Sequence, residues 1–178
     1  VKGAFDFLPT LEGQLLRLRP MQRDDHAPLI GIAADPLLWS QHPIPERQQP
    51  EVMSALLDDA WTDQGSLVLV DRADGAIIGH SRYSTRYAHS PEEIEIGWTF
   101  LARTHWGRGF NAEAKQLMVA HALTHYAQVF FRVGEDNLRS RRAMEKLGAR
   151  LTPRVYEATA FGRDLVYVTY VLTGPCRS

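Results

Sequence analysis

The sequence is poor in cysteine: its only one is Cys176, close to the C-terminal end. A lone thiol forms no disulfide within the chain and builds no multi-cysteine zinc site. Its setting, just after a Gly-Pro pair, is not that of a catalytic thiol, and the usage fits a reducing cytoplasm. Long hydrophobic runs are absent too. No apolar stretch approaches the roughly 18 residues that suggest a membrane span. Val1-Lys2-Gly3-Ala4-Phe5-Asp6 lacks the charged-then-apolar pattern of an export signal. Charge of either sign is not in excess, with 20 Lys+Arg against 21 Asp+Glu and a formal net charge of −1. That balance predicts neither a nucleic-acid partner nor a membrane surface as partner. A local anion site stays open, because one helix end and a few arginines suffice for it.

What remains is ordinary for a globular chain: 178 residues, 44% hydrophobic and 23% charged. A chain of this length buries about 70% of its unfolded surface and needs no metal or disulfide to hold a core. One domain spanning residues 1–178 is expected, with its core over about 11–173. No internal repeat interrupts it.

Leu15 to Arg19 reads as a first strand closed by Pro20. A helical stretch is predicted from Arg23 towards Trp39, with acidic residues in its first turn. Pro36, Pro43, Pro45 and Pro50 make the next segment a loop with short helical pieces, and Glu51 to Trp61 a second helix. Ser66 to Val70, Ala76 to Tyr87 and Glu92 to Leu101 form an antiparallel meander, with Asp74-Gly75 marking its first turn. A helix from about Gly109 to Tyr126, a buried strand Val129 to Val133, and a helix Leu138 to Leu147 stopped by Gly148 follow. Two strands around Ala160-Phe161-Gly162-Arg163 end the chain. The fold class is therefore α/β, a mixed and mostly antiparallel central sheet with helices on both faces.

Two segments carry the chemistry. In His105-Trp106-Gly107-Arg108-Gly109-Phe110-Asn111-Ala112-Glu113-Ala114, two glycines stand where a helix begins. Glycine permits a sharp turn and close approach of a ligand to the backbone. The first helical amides have no internal partner and sit at the positive dipole end, so the pattern suits a pyrophosphate. Arg108 adds charge from the same loop. The spacing Gly107-x-Gly109-x-x-Ala112 also fits the dinucleotide fingerprint, but the preceding strand lies in an antiparallel meander and too little chain follows for that fold. The second segment runs from Asn137 to Ala149. Asn137 is a good helix N-cap, Ser140 lies in the first turn, and Arg139, Arg141 and Arg142 are three cations in four residues. His121 and His125 stand four apart on one helix, as zinc ligands can, but the Glu of the metalloprotease motif is replaced by Ala122 and no third ligand is evident, so no metal is expected.

Taken together, Glu95-Ile96-Gly97-Trp98-Thr99, the Trp106 to Ala114 run, Asn137-Leu138-Arg139-Ser140-Arg141-Arg142-Ala143 and Glu145-Lys146-Leu147-Gly148-Ala149 resemble the GNAT superfamily of N-acetyltransferases. The likeness is greatest to its RimJ/RimL-like branch, which includes enzymes that acetylate N-termini of ribosomal proteins. The resemblance spans about Leu15 to Leu172. It implies acetyl-CoA as donor, no metal, a primary amine as acceptor and a homodimer as a possible assembly. It further implies that a bulged strand end (Thr99, Phe100, Leu101) and Asn137 hold the pantetheine arm. The amides of Gly107, Arg108, Gly109, Phe110, Asn111 and Ala112 would hold the pyrophosphate, with Arg141 reaching a phosphate.

An acceptor amine must lose a proton to attack a thioester. Alternation puts Glu93 and Glu95 on one strand face, opposite Ile94, Ile96 and Trp98. Glu95 lies roughly 13–20 Å from the arm-binding strand end, and the family places a general-base glutamate there. The competing reading makes Glu95 a solvated carboxylate or an ion-pair partner of Arg82 or Arg86. The sequence departs from the family at Thr104 and at Met144, which replaces a tyrosine that protonates the leaving thiolate. Ser140 is the nearest hydroxyl for that role. Strand amides near Trp98–Leu101 would hold the developing oxyanion. Trp39, Arg82, Tyr83, Trp98 and Tyr156 are the candidate acceptor-binding residues. The implied activity is direct transfer of acetyl to a peptide or protein N-terminal amine. A small amine as acceptor, or a non-catalytic acyl-CoA-binding module, are the alternatives.

Overall fold

The computed structural model describes residues 4–174; Cys176 lies outside them. The sheet has eight strands in the order β1-β2-β3-β4-β5-β6-β8-β7. They are β1 (Leu11–Glu12), β2 (Leu16–Pro20), β3 (Ser66–Asp71), β4 (Ile77–Ser84), β5 (Glu93–Leu101), β6 (Gln128–Gly134), β7 (Arg150–Ala160) and β8 (Arg163–Thr173). Every neighbouring pair is antiparallel except β5–β6. The α-helices are α1 (His26–Ala33), α2 (Pro50–Asp63), α3 (Phe110–Leu123) and α4 (Leu138–Leu147). The expected mixed sheet is thus present, with β1 as the one strand the periodicity had not suggested.

Alternation along buried β3 divides the core. Leu67 and Leu69 join Phe110, Ala114 and Met118 of α3 and Met144 of α4 on one face. Val68 and Val70 join Leu29 of α1 and Met53, Leu57 and Ala60 of α2 on the other. The helical stretch expected from Arg23 to Trp39 is broken. A 3-10 turn (Arg23–Asp25), α1 and a second 3-10 turn (Pro36–Trp39) replace it, because Pro36 cannot continue α1 and Asp35 caps the new turn by accepting from the Leu37 amide at 3.0 Å. β4 stops at Ser84 and α3 at Leu123, three residues short of expectation in each case.

The decisive irregularity is in β5. Its pairing with β4 slips by one residue, from His80↔Phe100 to Arg82↔Gly97. Trp98 absorbs the slip with φ of 51°, in the left-handed region. A bulge of this kind reverses alternation beyond it. Ile94 and Ile96 share their core with Leu101, while Phe100 packs into the opposite core. Trp98 therefore leaves the face of Ile94 and Ile96 where simple alternation had put it.

Candidate active site

The same stretch of β5 opens a cleft. Parallel β6 meets β5 only through Glu93↔Gln128, Ile94↔Val129 and Glu95↔Phe130 among the described residues. Beyond Glu95 the strands separate, so the β5 edge from Ile96 to Leu101 has no ladder partner on that side. A cavity of about 940 Å³ fills the gap, within the size range of small-molecule sites. Thr99, Phe100 and Leu101 line it from β5; Gly107, Gly109, Asn111 and Ala112 from the start of α3; Asn137 and Ser140 from the start of α4. The structure brings these sequence-predicted residues together in one place.

Local bonds explain how the loop before α3 holds its shape. Gly107 and Gly109 have φ of 69° and 88°, which only glycine adopts readily. The Trp106 indole donates to Leu101 O at 2.9 Å, tying the loop to the end of β5. Glu113, in the first turn of α3, accepts from the amides of Gln14, Leu15 and Leu16 and anchors the helix start to the turn before β2. The first amides of a 14-residue helix thus face the cleft at its positive dipole end. Asn137 Oδ1 accepts from Ser140 N at 3.2 Å, which fixes the start of α4. Two members of the predicted set point elsewhere. The Arg108 guanidinium turns to Thr104 O at 3.3 Å and does not line the cleft. The Arg141 side chain is taken up by Tyr170 and Glu135 O on the far side of α4. Phe110 buries its ring in the core, leaving only its backbone at the helix start.

Glu95 lines the cleft where the strands part and is 2% exposed. Its partner is Arg132 of β6, with Nε donating to Oε1 at 2.8 Å. The other oxygen, Oε2, is buried with no hydrogen-bond partner. Burial raises the Glu95 pKa above the ordinary carboxylate value, with Arg132 opposing the rise. Neither arginine first considered as its partner is free. Arg82 pairs with Asp59 at 3.0 Å and lies near Asp63 of α2, and Arg86 pairs with the same two acids.

Those pairings correct two acceptor-site expectations. Arg82 is fully buried, stacked on the Trp98 ring at 3.5 Å, and does not line the cleft. Tyr83 is fully buried with its hydroxyl donating to Met118 O, so it is a core residue. Adjacent strand residues lie on opposite faces, and here both faces are covered by helices. Trp39, Trp98 and Tyr156 do line the cleft. Trp39 is nearly buried with its indole donating to Ala33 O at 2.7 Å.

Sequence reasoning missed three groups. Lys115 of α3 is 5% exposed, and its ammonium nitrogen reaches Thr99 Oγ1 at the bulge and Ser81 Oγ. Burial lowers its pKa to about 7. The signal was there: Lys115 stands three and four residues before buried Met118 and Val119, on the apolar stripe of α3. Arg132 was read only as part of a buried strand. It lies 3.6 Å from the Tyr87 ring centroid and 4.6 Å from that of Tyr156. His80 braces the bulge: its Nδ1 donates to Trp98 O at 3.0 Å and its Nε2 faces Ser66 Oγ. Burial pushes His80 down to about 4, so the ring is neutral at pH 7. Arg47, Arg86, Lys115, Arg132, Arg139, Arg142 and Lys146 line the cleft against one carboxylate, Glu95, among the described residues. That imbalance fits a polyanionic ligand.

Among the described residues no three His, Cys, Asp or Glu side chains group as a metal site, and His121 and His125 pack around Phe5. No helix among them is long and apolar enough to cross a membrane.

Comparison with known proteins follows the same lines. Residues 16–150 match a family model described as an acetyltransferase (GNAT) domain. The chain is similar to a GCN5-related N-acetyltransferase from Brucella melitensis, at 19% identity and a TM-score of 0.78 over 93% of this chain and 78% of that one. It is similar to a candidate acetyltransferase from T. thermophilus, at 27% identity and a TM-score of 0.73 over 97% and 92% of the two chains. A candidate ribosomal-protein-serine acetyltransferase from Vibrio cholerae aligns at 12% identity with a TM-score of 0.68, over 93% and 97%. No curated protein gives a significant sequence match.

Proposed function

The chain belongs to the GNAT family of acetyltransferases, and from that premise we propose that it transfers acetyl from acetyl-CoA directly to a primary amine in a ternary complex. The first choice of acceptor is the α-amine of a peptide or protein N-terminus. The observation that carries the reading is the gap between β5 and β6: an unpaired strand edge, the amide-rich start of α3 and an excess of cations converge on one cleft.

The residues present fit acetyl-CoA. The free edge of β5 from Ile96 to Leu101, with Asn137 across the gap, suits the amides of the pantetheine arm. The amides from Gly107 to Ala112 suit the pyrophosphate, and Arg139, Arg142 and Lys146 suit the remaining phosphate charge. When bound, acetyl-CoA supplies an activated acyl group and a stable thiolate leaving group. Glu95 takes the proton from the incoming amine, directly or through one water, using the oxygen that lacks a partner. Its raised pKa makes it a stronger base than an exposed carboxylate. The amine nitrogen forms the new C–N bond, the C–S bond breaks, and the electron pair leaves with sulfur. Amides of Trp98–Leu101 stabilise negative charge on the carbonyl oxygen. Ser140 and Lys115 both line the cleft and can hydrogen-bond the departing sulfur. Met144, buried in the same wall, cannot.

The branch assignment, RimJ/RimL-like, is part of this proposal and is supported by the Vibrio cholerae likeness. A single domain, a cytoplasmic setting and a homodimer belong to the same reading. The test is thiol release from acetyl-CoA with a panel of N-terminal peptides and small amines, run beside CoA titration. Acceptor-dependent release supports the reading; CoA binding with no release by any amine leaves a non-catalytic acyl-CoA-binding module instead.

A further inference from the structure

The cations lining the cleft are not equivalent. Arg86 is paired with Asp59, and Arg132 with Glu95. Arg139 stacks on Trp106 at 3.9 Å, beside the loop that leads into α3. Arg47 is different. It lies on a 3-10 turn (Pro45–Gln48) that crosses the cleft. That turn is held to the β7–β8 hairpin by its neighbour Glu46, whose two oxygens accept from Arg163 at 2.7 Å each. The anchor lies at Glu46, and Arg47 faces the cavity.

Within the cavity the Arg47 guanidinium meets no acid. No ion pair or hydrogen bond engages it among the described residues. Its closest ring contact is Trp39, 5.7 Å from the guanidinium carbon. The groups acting on its charge are Tyr167, Arg82 and Arg132, and both arginines are already balanced by their own carboxylates. Burial lowers the Arg47 pKa to about 10, which still leaves it charged at neutral pH. A half-buried guanidinium lining a cleft without a counter-charge is poorly compensated, and a carboxylate in bidentate geometry is the partner that best offsets this. Beside it, Tyr156, Tyr167 and Trp98 supply flat walls and phenol donors.

We propose that this part of the cleft is a carboxylate subsite centred on Arg47, so that the acceptor carries an acidic group close to its amine and polycationic amines are excluded. The inference rests on the acetyltransferase reading above and narrows its acceptor. Two sources present this chemistry: a free α-amino acid, or a peptide with an acidic residue next to its N-terminal amine. Spermidine and polyamino sugars meet mostly like charge in a cleft with one carboxylate among the described residues.

The test uses matched pairs that differ only in the acid: L-serine against L-serinamide, and Ser-Asp-Ala-Ala-amide against Ser-Asn-Ala-Ala-amide, with spermidine as the cationic probe. Binding to the CoA-saturated protein is read from tryptophan fluorescence, and turnover from thiol release. At least one acidic member should bind about tenfold or more tightly than its neutral twin. The pair that responds identifies the source. Arg47→Gln should abolish the preference while leaving the affinity for CoA within about twofold. Equal binding within both pairs, binding by neither pair, or spermidine binding as well as the acids overturns the proposal. So does an Arg47→Gln variant that loses CoA affinity by the same factor as acceptor affinity, because Arg47 would then be a phosphate ligand. If the native protein fails to bind CoA at all, the acetyltransferase reading is what has failed. Circular dichroism and the melting temperature establish that the variant is folded; Arg47→Lys, which keeps the charge without the fork, should retain part of the preference.

Discussion

Glu93 and Glu95 stand two residues apart on β5, equally buried, in two regions with opposite design. Glu93 sits where β5 and β6 are paired. Both its oxygens accept from Arg154 at 3.1 Å, Gln128 adds a donor at 3.1 Å, and the His89 amide adds another. Glu95 sits at the last paired position, where the strands part. One oxygen accepts from Arg132 and the other has no partner. A satisfied buried carboxylate is structural, because its lone pairs are taken up in fixing neighbours. An unsatisfied one, on the wall of a cleft, is free to take a proton. The difference between closed seam and open cleft is thus written in hydrogen bonds on a single strand.

Substitution separates the two most sharply. Glu95→Gln should lower kcat by about 100-fold or more, the range for loss of a general base, with the KM for acetyl-CoA nearly unchanged and a stability loss smaller than that of Glu93→Ala, because Gln still accepts from Arg132 but no longer balances its charge. Glu93→Ala should do the reverse. It strands Arg154, itself only one-fifth exposed, and should cost about 3 kcal/mol of stability in urea unfolding while sparing kcat in the protein that remains folded. Equal effects of the two on kcat would erase the distinction.

The pH–rate profile sharpens it further. Because burial raises Glu95, activity should fall on the acid side at a pH above the ordinary carboxylate range. Arg132 opposes that rise, so Arg132→Met should move the acid limb higher still.

Stability against pH tests the cleft's buried lysine. Lys115 titrates near 7 in the folded chain against an ordinary 10.5. Between those values the unfolded chain binds the extra proton, so native stability rises with pH across the window and the cost of burial is fully present below it. Lys115→Met should flatten this rise, measured by urea unfolding at intervals from about pH 7 to 10.

The smallest effect is expected at His80, which holds the carbonyl of Trp98 from behind the bulge. His80→Leu should raise the KM for acetyl-CoA about threefold, the size expected from one lost hydrogen bond of roughly 0.5–1.5 kcal/mol. Its acid limb of unfolding should also change. Native His80 at about 4 resists protonation against an ordinary 6.5, so its contribution is present above 6.5 and is lost as pH falls towards 4.

What could be read from the sequence was whatever is specified locally. Asn137 and Gly148 bracket α4 as cap and left-handed stop, and the structure has both. The glycines before α3 mark a turn no other residue adopts readily, and they lie on the cleft wall. The prolines from Pro36 to Pro50 marked a loop with short helical pieces, and the structure has 3-10 turns at Pro36–Trp39 and Pro45–Gln48. The remainder depends on pairing between distant residues. The resemblance implied a bulged end to this strand, and β5 has one, but nothing in the letters around Trp98 announces a left-handed tryptophan or the hold of His80 on its carbonyl. Arg82 and Tyr83 looked like exposed neighbours of the site because their counterparts, Asp59 and Met118, are far away in the chain. Glu95 found its partner, Arg132, on a strand 37 positions later.

The central claim is that the opening between β5 and β6, floored by the start of α3, holds CoA. Calorimetric titration of the folded chain with CoA tests it most directly. The account predicts one site per chain, saturable and weakened by salt because phosphate contacts carry it; no detectable association with CoA or acetyl-CoA would contradict it.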